Sequence, residues 1–240
     1  MSISHRQYLA VLASVFGVWG VAWGWAPRDR FVWLLENSMG FVGVGLLIGF
    51  HRKLLFSRLS YTLIFLFLCL HTVGAHYTYS EVPYDEWFRA LTGRTFNPLV
   101  GWQRNNFDRV IHFCYGLLLA YPVREIFLRV VNVRGIWGYF LPLDLTMSTS
   151  MIYELIEWAV AEIFGGDVGP SYLGVQGDIW DAQKDMALAS LGALIAMSVT
   201  AAINWRCQRD FAREWAESLR VKHKAPLGED ELARMARHRK

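Results

Sequence analysis

Apolar residues along this 240-residue chain gather into long stretches separated by short polar connections. Six of them, at residues 8–26, 31–50, 60–78, 110–131, 137–163 and 182–204, are long enough for the hydrocarbon core of a bilayer. That core needs about 20 residues at ~1.5 Å rise per residue. The pattern predicts an all-α fold, a polytopic transmembrane helical bundle of about six helices. The fifth stretch is the most polar, because Pro142 and Asp144 interrupt its first half and Ser148, Thr149 and Ser150 follow. It is expected inside the bundle, where neighbouring helices satisfy freed backbone groups. From Trp205 the pattern changes: Trp205, Phe211, Trp215 and Leu219 recur at roughly helical spacing among charged residues. This predicts a C-terminal amphipathic helix at the cytoplasmic membrane surface. Past Ala225 the apolar content falls, which predicts a disordered end. The chain therefore divides into a transmembrane domain over residues 1–204 and a basic cytoplasmic tail over residues 205–240.

Composition agrees with the pattern. Hydrophobic residues make up 54% of the chain and charged residues only 19%, and the mean hydropathy is +0.23, which is rare for a soluble domain of this length. A net charge of +3, with the basic residues confined to a few short stretches, argues against nucleic acid as a partner. Cys69 and Cys114 lie inside apolar runs and Cys207 just beyond the last, so they suggest no disulfide framework.

Charge also sets orientation, because Lys and Arg in short loops stay cytoplasmic. Arg52, Lys53 and Arg58 follow the second stretch, Arg129 and Arg134 the fourth, and Arg206, Arg209 and Arg213 the sixth. The connection after the fifth carries Asp167, Asp178 and Asp181 and no Lys or Arg. Both termini are therefore expected in the cytoplasm. Gly24 and Ala26 would satisfy a signal-peptide cleavage rule. The first stretch, however, exceeds the usual apolar core of such signals, of about 7–15 residues, and reads as an uncleaved anchor.

In this orientation the ionisable residues of the spans converge on the outer half. Such residues are costly in a bilayer and are functional by default. His71 and His76 fall in the outer half of the third span, although i and i+5 are about 140° apart on a helix. Asp108 and His112 open the fourth span at i and i+4, on one face. Glu154 and Glu157 fall in the last third of the fifth, and Asp178, Asp181 and Asp185 form an acidic stripe at the start of the sixth. Glu36 and Asn37 of the second lie toward the same end. So many carboxylates need cations: a bound metal, protons, or Arg104, Arg109 and Lys184 nearby. Imidazoles and carboxylates from facing helices make Zn, Mn or Fe sites, which makes His71, His76, His112, Glu154, Asp178, Asp181 and Asp185 candidate ligands. Each residue also has a plainer reading: Asp108 as the partner of Arg104 or Arg109, His112 as a packing residue, Asp178 as a helix cap.

Four ordered motifs resemble the YjdF-like family of bacterial inner-membrane proteins: His71-Thr72-Val73-Gly74-Ala75-His76-Tyr77-Thr78-Tyr79, Arg104-Asn105-Asn106-Phe107-Asp108-Arg109-Val110-Ile111-His112-Phe113, Tyr153-Glu154-Leu155-Ile156-Glu157-Trp158, and Gln176-Gly177-Asp178-Ile179-Trp180-Asp181-Ala182-Gln183-Lys184-Asp185-Met186. The resemblance covers the chain up to about Arg206 and implies the membrane class without supplying a reaction. The stretch at 108–113 and the Asp-rich start of the sixth span are more distantly similar to VanZ-like proteins, which are associated with glycopeptide resistance and cell-envelope phenotypes. This chain departs from those in its His71 and His76 motif and its Glu154 and Glu157 pair.

The constellation predicts a metal-dependent enzyme of hydrolase type, acting on a lipid or cell-envelope precursor at the outer leaflet among membrane lipids. A divalent Zn, Mn or Fe ion would activate water, Glu157 and Asp108 would be catalytic, and Arg104, Arg109 and Lys184 would hold a substrate phosphate. Two other functions draw on the same residues. A proton- or cation-coupled transporter would use the cluster as a relay, but Asp144 is nearly the only ionisable group in the inner half. A non-enzymatic assembly or stress-response protein would use it to lock helices together.

Overall fold

The computed structural model describes residues 3–164, 176–208, 210–222 and 227–238. Among these residues every regular element is helical: α1 (His5–Gly24), α2 (Arg30–Phe50), α3 (Arg58–His76), α4 (Tyr84–Thr92), α5 (Phe107–Ile126), α6 (Trp137–Phe164), α7 (Asp181–Cys207), α8 (Phe211–Ser218) and α9 (Leu227–His238). A single π-helical turn, Phe127–Val131, prolongs α5. The fold is an all-α polytopic helical bundle. Helices α1, α2, α3, α5 with its π turn, and α7 have the length and apolar composition to cross a membrane. Six such helices were expected; α6, the remaining one, is long enough at 28 residues. It falls short in composition, because Asp144, Glu154, Glu157 and Glu162 all lie within it.

Local chemistry sets the helix starts. Ser4 and Gln7 form a reciprocal capping box on α1, and the Asp29 carboxylate accepts from the Phe31 and Val32 amides at the start of α2. The start of α3 is held from another helix: Glu125 of α5 accepts from the Ser57 amide at 2.9 Å and from the Ser60 hydroxyl at 2.6 Å. Pro142 does not break α6, and its carbonyl accepts from Thr146 Oγ1 at 2.7 Å.

The bundle is organised around α5, which packs on α3, α6 and, most extensively, α7. The α5–α7 crossing is a backbone contact. A Cβ on Gly116 would overlap the Ala189 carbonyl and lie 2.7 Å from the Ala193 amide nitrogen; one on Gly192 would overlap the Phe113 carbonyl and lie 2.7 Å from the Leu117 nitrogen. Ala120, Ala189 and Ala193 complete the seam with no exposed surface. Lipid offers apolar groups no advantage in moving to a helix interface, so close approach through small residues is what holds membrane helices together. Helix α1 packs on α3 and has no buried residue, leaving its outer faces to the surroundings.

At the end of the bundle that holds Glu125, the tail docks onto α6. Phe211 and Trp215 of α8 meet the Tyr139 ring at centroid distances of 6.2 and 5.9 Å. The Ser218 hydroxyl accepts from the Ile136 amide at 3.1 Å. Farther along, where composition suggested disorder, Leu227–His238 is helical.

Gly116→Ala is expected to destabilise the bundle by about 1–3 kcal/mol, the range for an overpacked interior, read as a lower melting temperature in detergent. Gly43→Ala, whose added Cβ meets nothing within 4 Å, should leave the melting temperature unchanged.

Candidate metal centre

The α5–α7 seam places the first turns of both helices side by side at the end of the bundle opposite Glu125. On α5, Asp108 and His112 stand one helical turn apart, with Asp108 Oδ1 3.7 Å from His112 Nε2. Asp185 faces them from α7: one ligand atom each from Asp108, His112 and Asp185 lie within 4.8 Å of one another. Glu154 of α6 adds a carboxylate oxygen 3.4 Å from His112 Nε2. His112 is 7% exposed and Asp185 2%. Buried carboxylate oxygens normally have donors, yet Asp185 Oδ1 and Glu154 Oε1 have none. One imidazole nitrogen and several carboxylate oxygens, converging from three helices with open lone pairs, form a donor set that fits a Zn, Mn or Fe ion.

A charged rim closes the cluster on its outer side. Arg104 and Arg109 both reach Asp181 Oδ1, Arg109 at 2.9 Å. Arg109 also bonds Asp178 at 2.5 Å, as does Lys184 Nζ. The Lys184 ammonium, then the Trp180 amide and Arg109, hold the Asp178 carboxyl well below the usual carboxylate range. Of the acidic stripe expected to bind metal, the structure therefore ties Asp178 and Asp181 to the three cations and leaves Asp185 with the histidine. The rim is positioned by the preceding loop. The Asp85 carboxylate accepts from the Phe96 and Asn97 amides, Tyr84 Oη donates to Asn97 Oδ1 at 2.7 Å, and the Asn106 amide donates back to Tyr84 Oη at 3.0 Å. The part of the connection after α6 that carries Asp167, residues 165–175, lies outside the described residues.

Farther in, toward α2 and α3, are polar groups that the sequence motifs did not connect. Tyr153 Oη donates to Glu36 Oε2 at 2.9 Å, and its ring lies edge-on to His112 at 6.0 Å. Glu36 is 2% exposed, and Glu157, one turn beyond Tyr153, is also buried. His71 has a separate setting: its Nδ1 is 2.5 Å from Tyr79 Oη, and its buried Nε2 has no partner and faces Gly40 of α2. Thr78 and Tyr79 both have positive φ, 50° and 52°, uncommon for residues with a Cβ. They fold the Tyr79 ring over Gly74, where a Cβ would come within 2.6 Å of the ring's Cδ1. His76 points elsewhere, with Nδ1 2.6 Å from the Trp23 carbonyl and its ring against Trp23 and Tyr77. A tyrosine one helical turn before Glu157 was the available signal for Tyr153, whereas its link to Glu36 spans 117 positions and leaves no trace in local spacing.

The rim has a defined acid dependence. A carboxyl with a lowered pKa contributes stability that is present above its ordinary value and lost as pH falls through the lowered one. Asp178→Asn is thus expected to melt below the wild type at neutral pH, with the difference closing as the medium is acidified beneath the carboxylate range.

Comparison with known proteins fits this architecture. The family model described as "Predicted membrane protein (DUF2238)" matches residues 8–206, which includes α1 through nearly all of α7. The chain is 37% identical over 189 residues to the inner membrane protein YjdF of Escherichia coli (strain K12), covering 78% of this chain and 86% of that one. No solved structure matches. The chain thus belongs to the DUF2238 family of membrane proteins, and it is a multi-pass integral membrane protein.

Proposed function

We propose that this protein is a divalent-metal-dependent hydrolase of the inner membrane, acting at the outer leaflet on a phosphate-bearing lipid or cell-envelope precursor. One observation carries the reading: the convergence of Asp108, His112 and Asp185 ligand atoms within 4.8 Å of one another, inside a helical bundle and with Asp185 Oδ1 buried and unclaimed. Intramembrane ionisable residues mark functional sites by default, and an imidazole beside carboxylates is a donor set of the kind that binds such ions. In this reading Asp108, His112 and Asp185 would hold the ion, and the chemistry it would supply is the activation of a water for hydrolysis. The catalytic part expected of Glu157 and Asp108 changes hands: Asp108 would serve as a ligand, Glu154, 3.4 Å from His112 Nε2, would take the proton instead of binding the ion, and Arg104, Arg109 and Lys184 at the rim would meet the phosphate. The outer-leaflet placement rests on the Lys and Arg distribution, which puts Arg52, Lys53, Arg129 and Arg134 on the cytoplasmic side.

Elemental analysis of detergent-purified protein tests the reading. The wild type is expected to retain a stoichiometric transition metal after dialysis, and His112→Ala and Asp185→Asn to lose it while keeping the wild-type elution volume. A wild type free of metal after growth with added zinc and manganese, or variants that keep their metal, would contradict it.

A further inference from the structure

The end of the bundle opposite the acidic cluster holds a basic cavity. Arg124, Asn132, Arg134, Tyr139, Gln208 and Glu214 line about 280 Å³ of space where the end of α5, the start of α6 and α8 come together. Arg124 lies over the Tyr139 ring, its Cζ 4.7 Å from the centroid, which holds the guanidinium in place and leaves its donors free. Its Nε is buried without a partner. Arg134 is exposed, and among the described residues neither guanidinium has an ion pair or a hydrogen bond. The neighbouring carboxylates are engaged elsewhere: Glu125 pairs with Arg129 at 2.7 Å, and Glu214 Oε2 accepts from Gln208 Nε2 at 3.0 Å. The turn that carries Arg134 is set by its backbone. Asn132 and Gly135 are left-handed, with φ of 58° and 59°, and a Cβ on Gly135 would overlap the Ser218 hydroxyl, so this loop is pressed onto α8. Two guanidiniums and one carboxylate line the cavity, which leaves one positive charge that a single phosphodiester would offset.

Beside the cavity runs an apolar groove of about 460 Å³, lined by Ala201, Ala202 and Trp205 of α7 and by Phe211, Ala212 and Trp215 of α8. Phe211 lines both spaces. The alanines leave the groove its width and the aromatic rings wall it. Trp205 is 70% exposed, as suits a ring at the headgroup level. An apolar slot that adjoins a cationic cavity matches the two-part chemistry of a phospholipid.

We infer that this end of the protein holds one anionic phospholipid of the cytoplasmic leaflet, its phosphodiester between Arg124 and Arg134 and an acyl chain along Ala201, Ala202 and Trp205. Guanidiniums meet phosphate oxygens through paired N–H donors, and basic pockets at the cytoplasmic ends of membrane helices recognise lipid headgroups in this way. The leaflet follows from the Lys and Arg distribution, which puts Arg129 and Arg134 on the cytoplasmic side. The lipid ties α8 to α5 and α7. The site is independent of the metal centre at the other end.

Native mass spectrometry of the full-length protein in detergent, titrated with phosphatidylglycerol, phosphatidylcholine or inorganic phosphate, tests the assignment. Phosphatidylglycerol is expected to bind one per chain, about tenfold more tightly than zwitterionic phosphatidylcholine, and Arg124→Gln and Arg134→Gln should each weaken it about tenfold, the loss of one hydrogen bond to a charged group. Ala202→Phe, which fills the groove, should weaken it as well. Arg52→Gln, which removes a charge outside the cavity, should leave it unchanged. Equal affinity for the two lipids, or phosphatidylglycerol binding unaltered in both cavity variants, overturns the site. Inorganic phosphate that displaces phosphatidylglycerol, with Ala202→Phe without effect, identifies a free-phosphate site and overturns the lipid. Arg134 sits in an exposed turn, so its variant decides the matter should Arg124→Gln fail to fold.

Discussion

The contact between the backbones of α5 and α7 is the constraint on which the rest of the structure depends. At Gly116 and Gly192 each helix presses its surface onto a carbonyl of the other, and this closeness fixes the register between two short polar faces at the helix starts. Asp108 and His112 on one helix and Asp181 and Asp185 on the other thereby meet, although neither pair would be a site alone. Larger residues would still give a bundle, but with the helices standing farther apart. Metal ligation is intolerant of such shifts, since ion-to-oxygen and ion-to-nitrogen distances near 2.0–2.2 Å leave little slack.

Electrostatics then divides the acidic residues by depth. Asp178 and Asp181, nearest the loop, are matched with Arg104, Arg109 and Lys184, so the rim is internally paired. Asp108, Glu154, Glu157 and Asp185, with Glu36, lie beyond the reach of lysine or arginine hydrogen bonds among the described contacts, in a setting where each unpaired charge is expensive. A fold that keeps several such groups together has either protons or metal ions to hold them, and the histidine among them favours metal.

Much of the fold was legible because dehydration leaves few choices. An apolar stretch in a bilayer must satisfy its own backbone, so the stretches at 31–50, 60–78 and 182–204 correspond closely to Arg30–Phe50, Arg58–His76 and Asp181–Cys207. The helical spacing of Phe211 and Trp215 was visible too, but not their partner Tyr139, since tertiary contacts of a tail carry no period. In the site, spacing by one turn revealed the Asp108–His112 and Asp181–Asp185 faces. It could not show that Asp181 would be claimed by two arginines, nor that His71 and His76, only five residues apart, would serve different neighbours. Tyr79 was beyond reach for a different reason: two consecutive left-handed residues without glycine contradict local preference and exist only because Gly74 leaves room for the ring.

Whether the acidic end of the bundle binds a metal through one imidazole and several carboxylates is read directly by X-ray absorption spectroscopy of the zinc-loaded protein. A centre built on His112 gives oxygen ligands with a single histidine nitrogen at about 2.0–2.2 Å, the imidazole signature disappearing in His112→Ala. A shell dominated by sulfur or by several imidazoles, or one unchanged in that variant, would contradict it.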